Sequence, residues 1–129
     1  MLGELERNGR VVICDLEAGL GTVLRIEAEK TDLMLVVTEP TTKSIEVARR
    51  ATEAAAQRAD VIVVANRVRD EADVEAIRAA LGDHDMVVVP EEPAIERADR
   101  DGRAPIDVDP DAPGVRAILE LAQRLAVGA

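Results

Sequence analysis

Four short apolar runs recur along the chain, at Val11 to Cys14, Leu33 to Val37, Val61 to Ala65 and Met86 to Val89, each bounded by polar or turn residues. Runs this short, rich in Val and continuous rather than alternating, mark parallel strands covered on both faces. Between them the period changes. Over Thr41 to Arg58 the apolar positions Ile45, Val47, Ala48, Ala51, Ala55 and Ala56 recur at near-helical spacing, and Thr41 or Thr42 can cap the start. Glu71 to Leu81 repeats the arrangement with Val74, Ile77 and Leu81 and stops at Gly82. A last helix, Pro113 to Ala126, carries Val115, Ile118, Leu119, Leu121, Ala122 and Leu125, whereas Arg100 to Pro113 is Asp- and Pro-rich and reads as a surface connection. The alternation predicts a single α/β domain over residues 1–129: a mostly parallel sheet of about four strands, flanked by helices on right-handed crossovers.

In such a sheet the strand ends line one edge, and ligands bind outside the carboxyl ends. That edge would carry Asp15-Leu16-Glu17, Glu39-Pro40, Asn66-Arg67 and Pro90-Glu91-Glu92-Pro93. The first group stands out. In nucleotide triphosphatases an acid at the end of an apolar strand holds Mg²⁺, usually through water, and a glycine-containing loop after it senses the γ-phosphate. Asp15 followed by Glu17, Ala18 and Gly19 has that form. The phosphate cradle G-x-x-x-x-G-K-[ST] is not in the sequence, because the two lysines, Lys30 and Lys43, follow no glycine-rich loop.

Composition removes other readings. Hydrophobic residues make up 47% of the chain with no Phe, Tyr or Trp, so the core is aliphatic and stacking on bases or aromatic cages is excluded. A formal charge of −10 repels a phosphate backbone or an anionic membrane surface, so neither nucleic acid nor membrane is the expected partner. Cys14 is the single cysteine, which rules out an internal disulfide or a Cys cluster within one chain; its apolar run predicts a buried, inert thiol. His84, the single histidine, sits in a Gly-Asp-His-Asp loop and reads as a surface residue. The charged N-terminus and the lack of a membrane-length apolar run read as cytoplasmic.

Taken in order, D-L-E-A-G at 15 to 19, V-V-T-E-P-T-T-K-S-I at 36 to 45, V-A-N-R-V at 64 to 68, V-P-E-E-P at 89 to 93 and A-D-R-D-G-R-A-P at 98 to 105 resemble the C-terminal half of the MinD/ParA-type P-loop ATPases. The resemblance is nearest to the branch containing the carbon monoxide dehydrogenase accessory protein CooC. It implies a partial P-loop NTPase-like fold that binds ATP or ADP with Mg²⁺ only when the P-loop half is supplied. Asp15 then matches the acid that supports the metal, and Glu17, Ala18 and Gly19 match the switch loop that rearranges between nucleotide states. Asn66 matches the asparagine that reads adenine, with Arg67 beside it, and Pro90, Glu91 and Glu92 match the loop that wraps the base. The chemistry agrees, since an Asn amide sets one donor beside one acceptor, as the edge of adenine requires. One departure is Leu20-Gly21-Thr22, where CooC-like sequences tend to carry an acid and a histidine.

The largest departure is the P-loop half itself, whose strand in this family lies between the strand ending at Asp15 and the strand ending at Val37. If the sequence is a complete product, these two strands either pair directly or leave a slot, and a homodimer or a P-loop-bearing partner is expected; a fragment, a split gene and a degenerate paralogue all fit the sequence. Hydrolysis by the chain alone is not expected. A stand-alone interaction or regulatory module with a degenerate nucleotide site is the competing reading. A receiver-like phosphoacceptor domain fits less well, because the third run ends in Asn66 and no lysine follows a later strand.

Overall fold

The computed structural model describes residues 11–16 and 31–127. Their element order is β1 (Leu33–Thr38), α1 (Thr42–Ala55), β2 (Asp60–Val68), α2 (Glu71–Leu81), β3 (Asp85–Pro90), α3 (Pro93–Arg100), α4 (Pro105–Val108) and α5 (Pro113–Val127). The strands form one parallel sheet in the order β1-β2-β3, with Met34 opposite Val61 and Thr38 opposite Ala65 in the first ladder, and Met86 opposite Val63 in the second. This is an α/β architecture consistent with part of a P-loop NTPase-like fold.

Local chemistry sets the helix limits. Thr41 caps α1 by accepting from the Ser44 amide, and Asp70 caps α2 by accepting from the Asp73 amide. Gly82 ends α2 at φ +86°, a left-handed backbone that glycine adopts without steric cost. Two successive βαβ units advance in one direction across the sheet, so crossovers of one hand lay α1 and α2 on the same face. Under them Val36, Val63, Ala65, Val68, Val74, Ile77 and Leu81 form the larger core. On the opposite face Ala117, Leu121 and Leu125 of α5 pack against Ile62, Val64 and Val89. An Arg124–Asp85 ion pair ties α5 to the start of β3.

β1 differs from its neighbours. Its residues alternate, with Met34, Val36 and Thr38 buried while Leu35 and Val37 are 39% and 59% exposed on the opposite face, where Leu33 is the β1 residue that joins the cluster under α5. Among the described residues, β1 pairs with β2 alone.

Three of the four apolar runs are strands, each one to four residues longer than its apolar stretch. The run at Val11 to Cys14 is in no strand and does not pair with β1; Val11 is 61% and Ile13 82% exposed, and the Cys14 thiol expected to be buried is exposed. An apolar β-branched run becomes a strand only where a neighbouring strand takes its backbone groups, and no described strand pairs with this one. Two helices have no counterpart in the apolar pattern: α3, and α4 inside the segment expected to be a surface connection.

Two substitutions separate the finished side of the sheet from the bare one. Ile77→Ala, at a fully buried site under β2, is expected to lower unfolding free energy by about 2–5 kcal/mol. Val37→Thr is expected to change it by less than about 0.5 kcal/mol. Urea denaturation of both variants measures the difference; equal losses would show that the face bearing Val37 is covered in solution.

Candidate functional site

The carboxyl ends of β1, β2 and β3 lie side by side, and their loops meet there. β1 ends at Thr38, whose hydroxyl lies 3.2 Å from the Ser44 hydroxyl; the same Ser44 oxygen accepts from the Glu39 amide at 2.9 Å. Ser44 thus binds the loop Glu39-Pro40 to the first turn of α1. At the end of β2 the second ladder slips. Ala65 stands opposite Val88 and Val68 opposite Pro90, so Asn66 and Arg67 together face Val89. Two residues against one is a β-bulge, a device that bends a strand and re-aims its side chains, often beside functional sites.

Arg67 carries the strain of the bulge. At φ +57° it is the non-glycine residue with a left-handed backbone among the described residues, a conformation that costs on the order of 1–3 kcal/mol for a side chain of this kind. Its guanidinium reaches Glu39 at 3.6 Å, Glu91 at 3.7 Å and Glu96 at 3.6 Å. Asn66, one step earlier, is half-buried just past the end of β1.

Glu92 has a different task from Glu91. One of its oxygens accepts from the Ala94 amide at the start of α3, and the other accepts from the Gly114 amide at the start of α5, both at 3.1 Å. A single carboxylate therefore caps two helices, where its charge also meets their positive ends. The amides of Ala94 and then Gly114 hold the Glu92 carboxyl below its ordinary range. The approach is close enough to require glycine, because a Cβ on Gly114 would stand 2.5 Å from the Cβ of Glu92.

Of the residues singled out from the sequence, Asn66, Arg67, Pro90, Glu91 and Glu92 are thus brought together on one edge, joined by Glu39 and Glu96. Asp15 is exposed, in a segment that forms no strand of the described sheet. Glu17, Ala18 and Gly19 lie outside the described residues. Among the described residues no group of three or more His, Cys, Asp or Glu side chains is placed to hold a metal ion, and no helix is long and apolar enough to cross a membrane. Glu96 and Gly114 were missed because neither belongs to a strand end. Pro93 after an acid, with Ala94 and Ala98 four apart, was the available signal for α3.

Gly114→Ala is expected to destabilise the fold by about 1–3 kcal/mol through this overlap, read by chemical denaturation. A pH dependence follows from the carboxyls. Glu92, Asp85 beside Arg124, and Asp73 beside Arg69 are all held below their ordinary values, so the folded chain gives up these protons more readily than the unfolded one. Their contribution is present above the ordinary carboxyl values of about 4 and is lost as the pH falls below them through the lowered values of the folded chain. Melting temperature against pH should be flat above this window and drop below it, and Glu92→Gln should shallow the drop.

No protein-family model matches the chain. It is 32% identical over 120 residues to an uncharacterized ATP-binding protein of Methanocaldococcus jannaschii, an alignment covering 89% of this chain and 46% of that protein. The chain spans about half the length of the curated relative it matches.

Proposed function

We propose that the chain is the adenine-nucleotide-binding and switch half of a cytoplasmic MinD/CooC-type P-loop ATPase, serving metallocentre assembly or a partitioning-type regulation. A P-loop-bearing partner chain supplies the phosphate cradle. The observation that carries this reading is the gathering of three strand-end loops around the Asn66–Arg67 bulge, in a chain similar to half of a protein described as ATP-binding.

The residues fit one end of the nucleotide. Asn66 offers a donor and an acceptor side by side at a half-buried position, and the loop Pro90 to Glu92 is fixed next to it by the Glu91 amide, which donates to Val68 O at 2.9 Å. The phosphate end fits worse. The Arg67 guanidinium stands among three carboxylates, and the sequence has no glycine-rich loop ahead of either lysine. Asp15 would support Mg²⁺, with Glu17 and Gly19 in the switch. The bound nucleotide would supply a phosphoanhydride whose cleavage changes the state of that loop.

β1 provides the place for completion. Its outer edge takes no strand among the described residues, and Leu35 and Val37 are exposed beside it. Unpaired strand groups and bare apolar side chains favour association. One observation favours the competing module reading: Arg67 and Glu92 already have protein partners for their charged groups. A module would bind a partner and no nucleotide.

Nucleotide titration of the chain, alone and mixed with a P-loop-bearing chain encoded beside it, separates the two. The mixture is expected to bind ATP and the isolated chain not to hydrolyse it, because the lysine and amides that stabilise transition-state charge are absent from its sequence. In the mixture Asn66→Ala should weaken binding by about 1–3 kcal/mol with or without Mg²⁺. Asp15→Asn should weaken only the Mg²⁺-dependent part. Equal losses for both variants in both conditions would withdraw the assignment, and phosphate release by the isolated chain that Asp15→Ala abolishes would overturn the division of labour.

A further inference from the structure

Arg67 is costly in its backbone and occupied in its side chain. A left-handed residue inside a strand bulge is where glycine, or more rarely asparagine, sits with least penalty. An arginine there has to be offset by what its side chain does. That side chain meets Glu39 in the β1–α1 loop, Glu91 just after β3, and Glu96 on α3. Three separately anchored segments of the carboxyl edge thus converge on one cation.

We propose that Arg67 is a positioning residue, a charge latch that holds the β1–α1 loop, the β3–α3 loop and α3 in one arrangement around the edge, and that it does not itself contact a ligand. Each pair is weak alone, since all four side chains are 45–57% exposed and the separations are 3.6–3.7 Å. The set is stronger than its members. Removing the cation deletes three attractions and also leaves three carboxylates facing one another, so the segments repel. A planar guanidinium with five donors can serve all three at once, whereas a lysine ammonium is a single point charge. The strained φ belongs to the same device, because it aims the side chain along the edge instead of into either face of the sheet.

Resting on the nucleotide reading, one consequence concerns orientation. With Arg67 shared among Glu39, Glu91 and Glu96, the edge keeps an excess of carboxylates. It would accept an uncharged base and repel phosphates.

Amide hydrogen exchange on the chain without nucleotide tests the latch, so its outcome is independent of whether ATP binds. The reporters are the Glu39 amide, donating to Ser44 Oγ at 2.9 Å, the Glu91 amide, donating to Val68 O at 2.9 Å, and the Glu96 amide, donating to Glu92 O at 3.4 Å. Arg67→Ala is expected to speed exchange at all three about three- to tenfold while leaving Val63 and Ala65 in the core of β2 unchanged. Arg67→Gly should speed the same three amides yet unfold at higher denaturant than Arg67→Ala, since it relieves the backbone strain. Salt at about 1 M should loosen the wild-type edge and have no further effect on either variant. Unchanged exchange at the three amides in both variants would overturn the proposal. So would a uniform rise that includes Val63 and Ala65, which would mean that Arg67 acts through global stability.

Discussion

A parallel sheet must be covered on both faces and paired on both edges of each interior strand, and among the described residues β2 is the strand that meets both conditions. Val63 and Ala65 are fully buried under α1 and α2, and Ile62 and Val64 are buried on the side of α5. Two neighbours take up its backbone groups. Everything else is placed by reference to that strand. α1 and α2 lie where the crossovers into and out of β2 put them, and α5 closes the other face over β2 and β3. β1 satisfies half of the requirement: one face is buried, one edge is paired, and Leu35 and Val37 stand in the open. A strand in this condition is a template for a further strand and a covering helix. The addition proposed for it, a P-loop strand from another chain, is the simplest way to give β1 what β2 already has.

The same strand organises the candidate site. β2 runs past the end of β1 and then bulges, so Asn66 and Arg67 project into the space where the other two strand ends turn into helices. Two acids of one loop then divide the work. Glu91 faces Arg67, while Glu92 turns back to the amides of Ala94 and Gly114 and so joins that loop to α5. Any force on α5 at the back of the sheet is therefore felt at the loop proposed to wrap a base, through one carboxylate and one glycine that nothing larger can replace without a shift.

Much of the framework was legible because it obeys short-range rules. α2 has the limits its pattern predicted, since Asp70 and Gly82 punctuate it chemically at both ends. β1, β2 and β3 were legible as Val-rich runs. The run at Val11 to Cys14 was equally strand-like in composition, and it shows the limit of such reading. Strand formation depends on a neighbour, and periodicity within a segment says nothing about whether that neighbour belongs to the same chain. α3 was hidden for another reason. Its buried face consists of Ala94 and Ala98, two small residues that share the helix with Ile95 and five polar or turn-forming ones, and its cap is supplied by Glu92, an unusual residue for that position. The grouping of Asn66, Arg67, Pro90 and Glu91 on one edge followed from strand order alone. The inward use of Glu92 and the three partners of Arg67 did not, because they depend on contacts as much as 22 or 29 residues apart.

The outer edge of β1 pairs with no strand among the described residues, and the proposal gives that edge a strand from a P-loop-bearing partner. Hydrogen exchange across Leu33 to Thr38, recorded for the chain alone and for the chain with a P-loop-bearing partner, addresses it directly. The outward-facing amides of β1 should exchange quickly in the isolated chain and become protected, along with the surroundings of Leu35 and Val37, when the partner is added. Full protection of every β1 amide in a monodisperse monomer, with no change on adding the partner, would contradict it and would mean that the sheet is already closed.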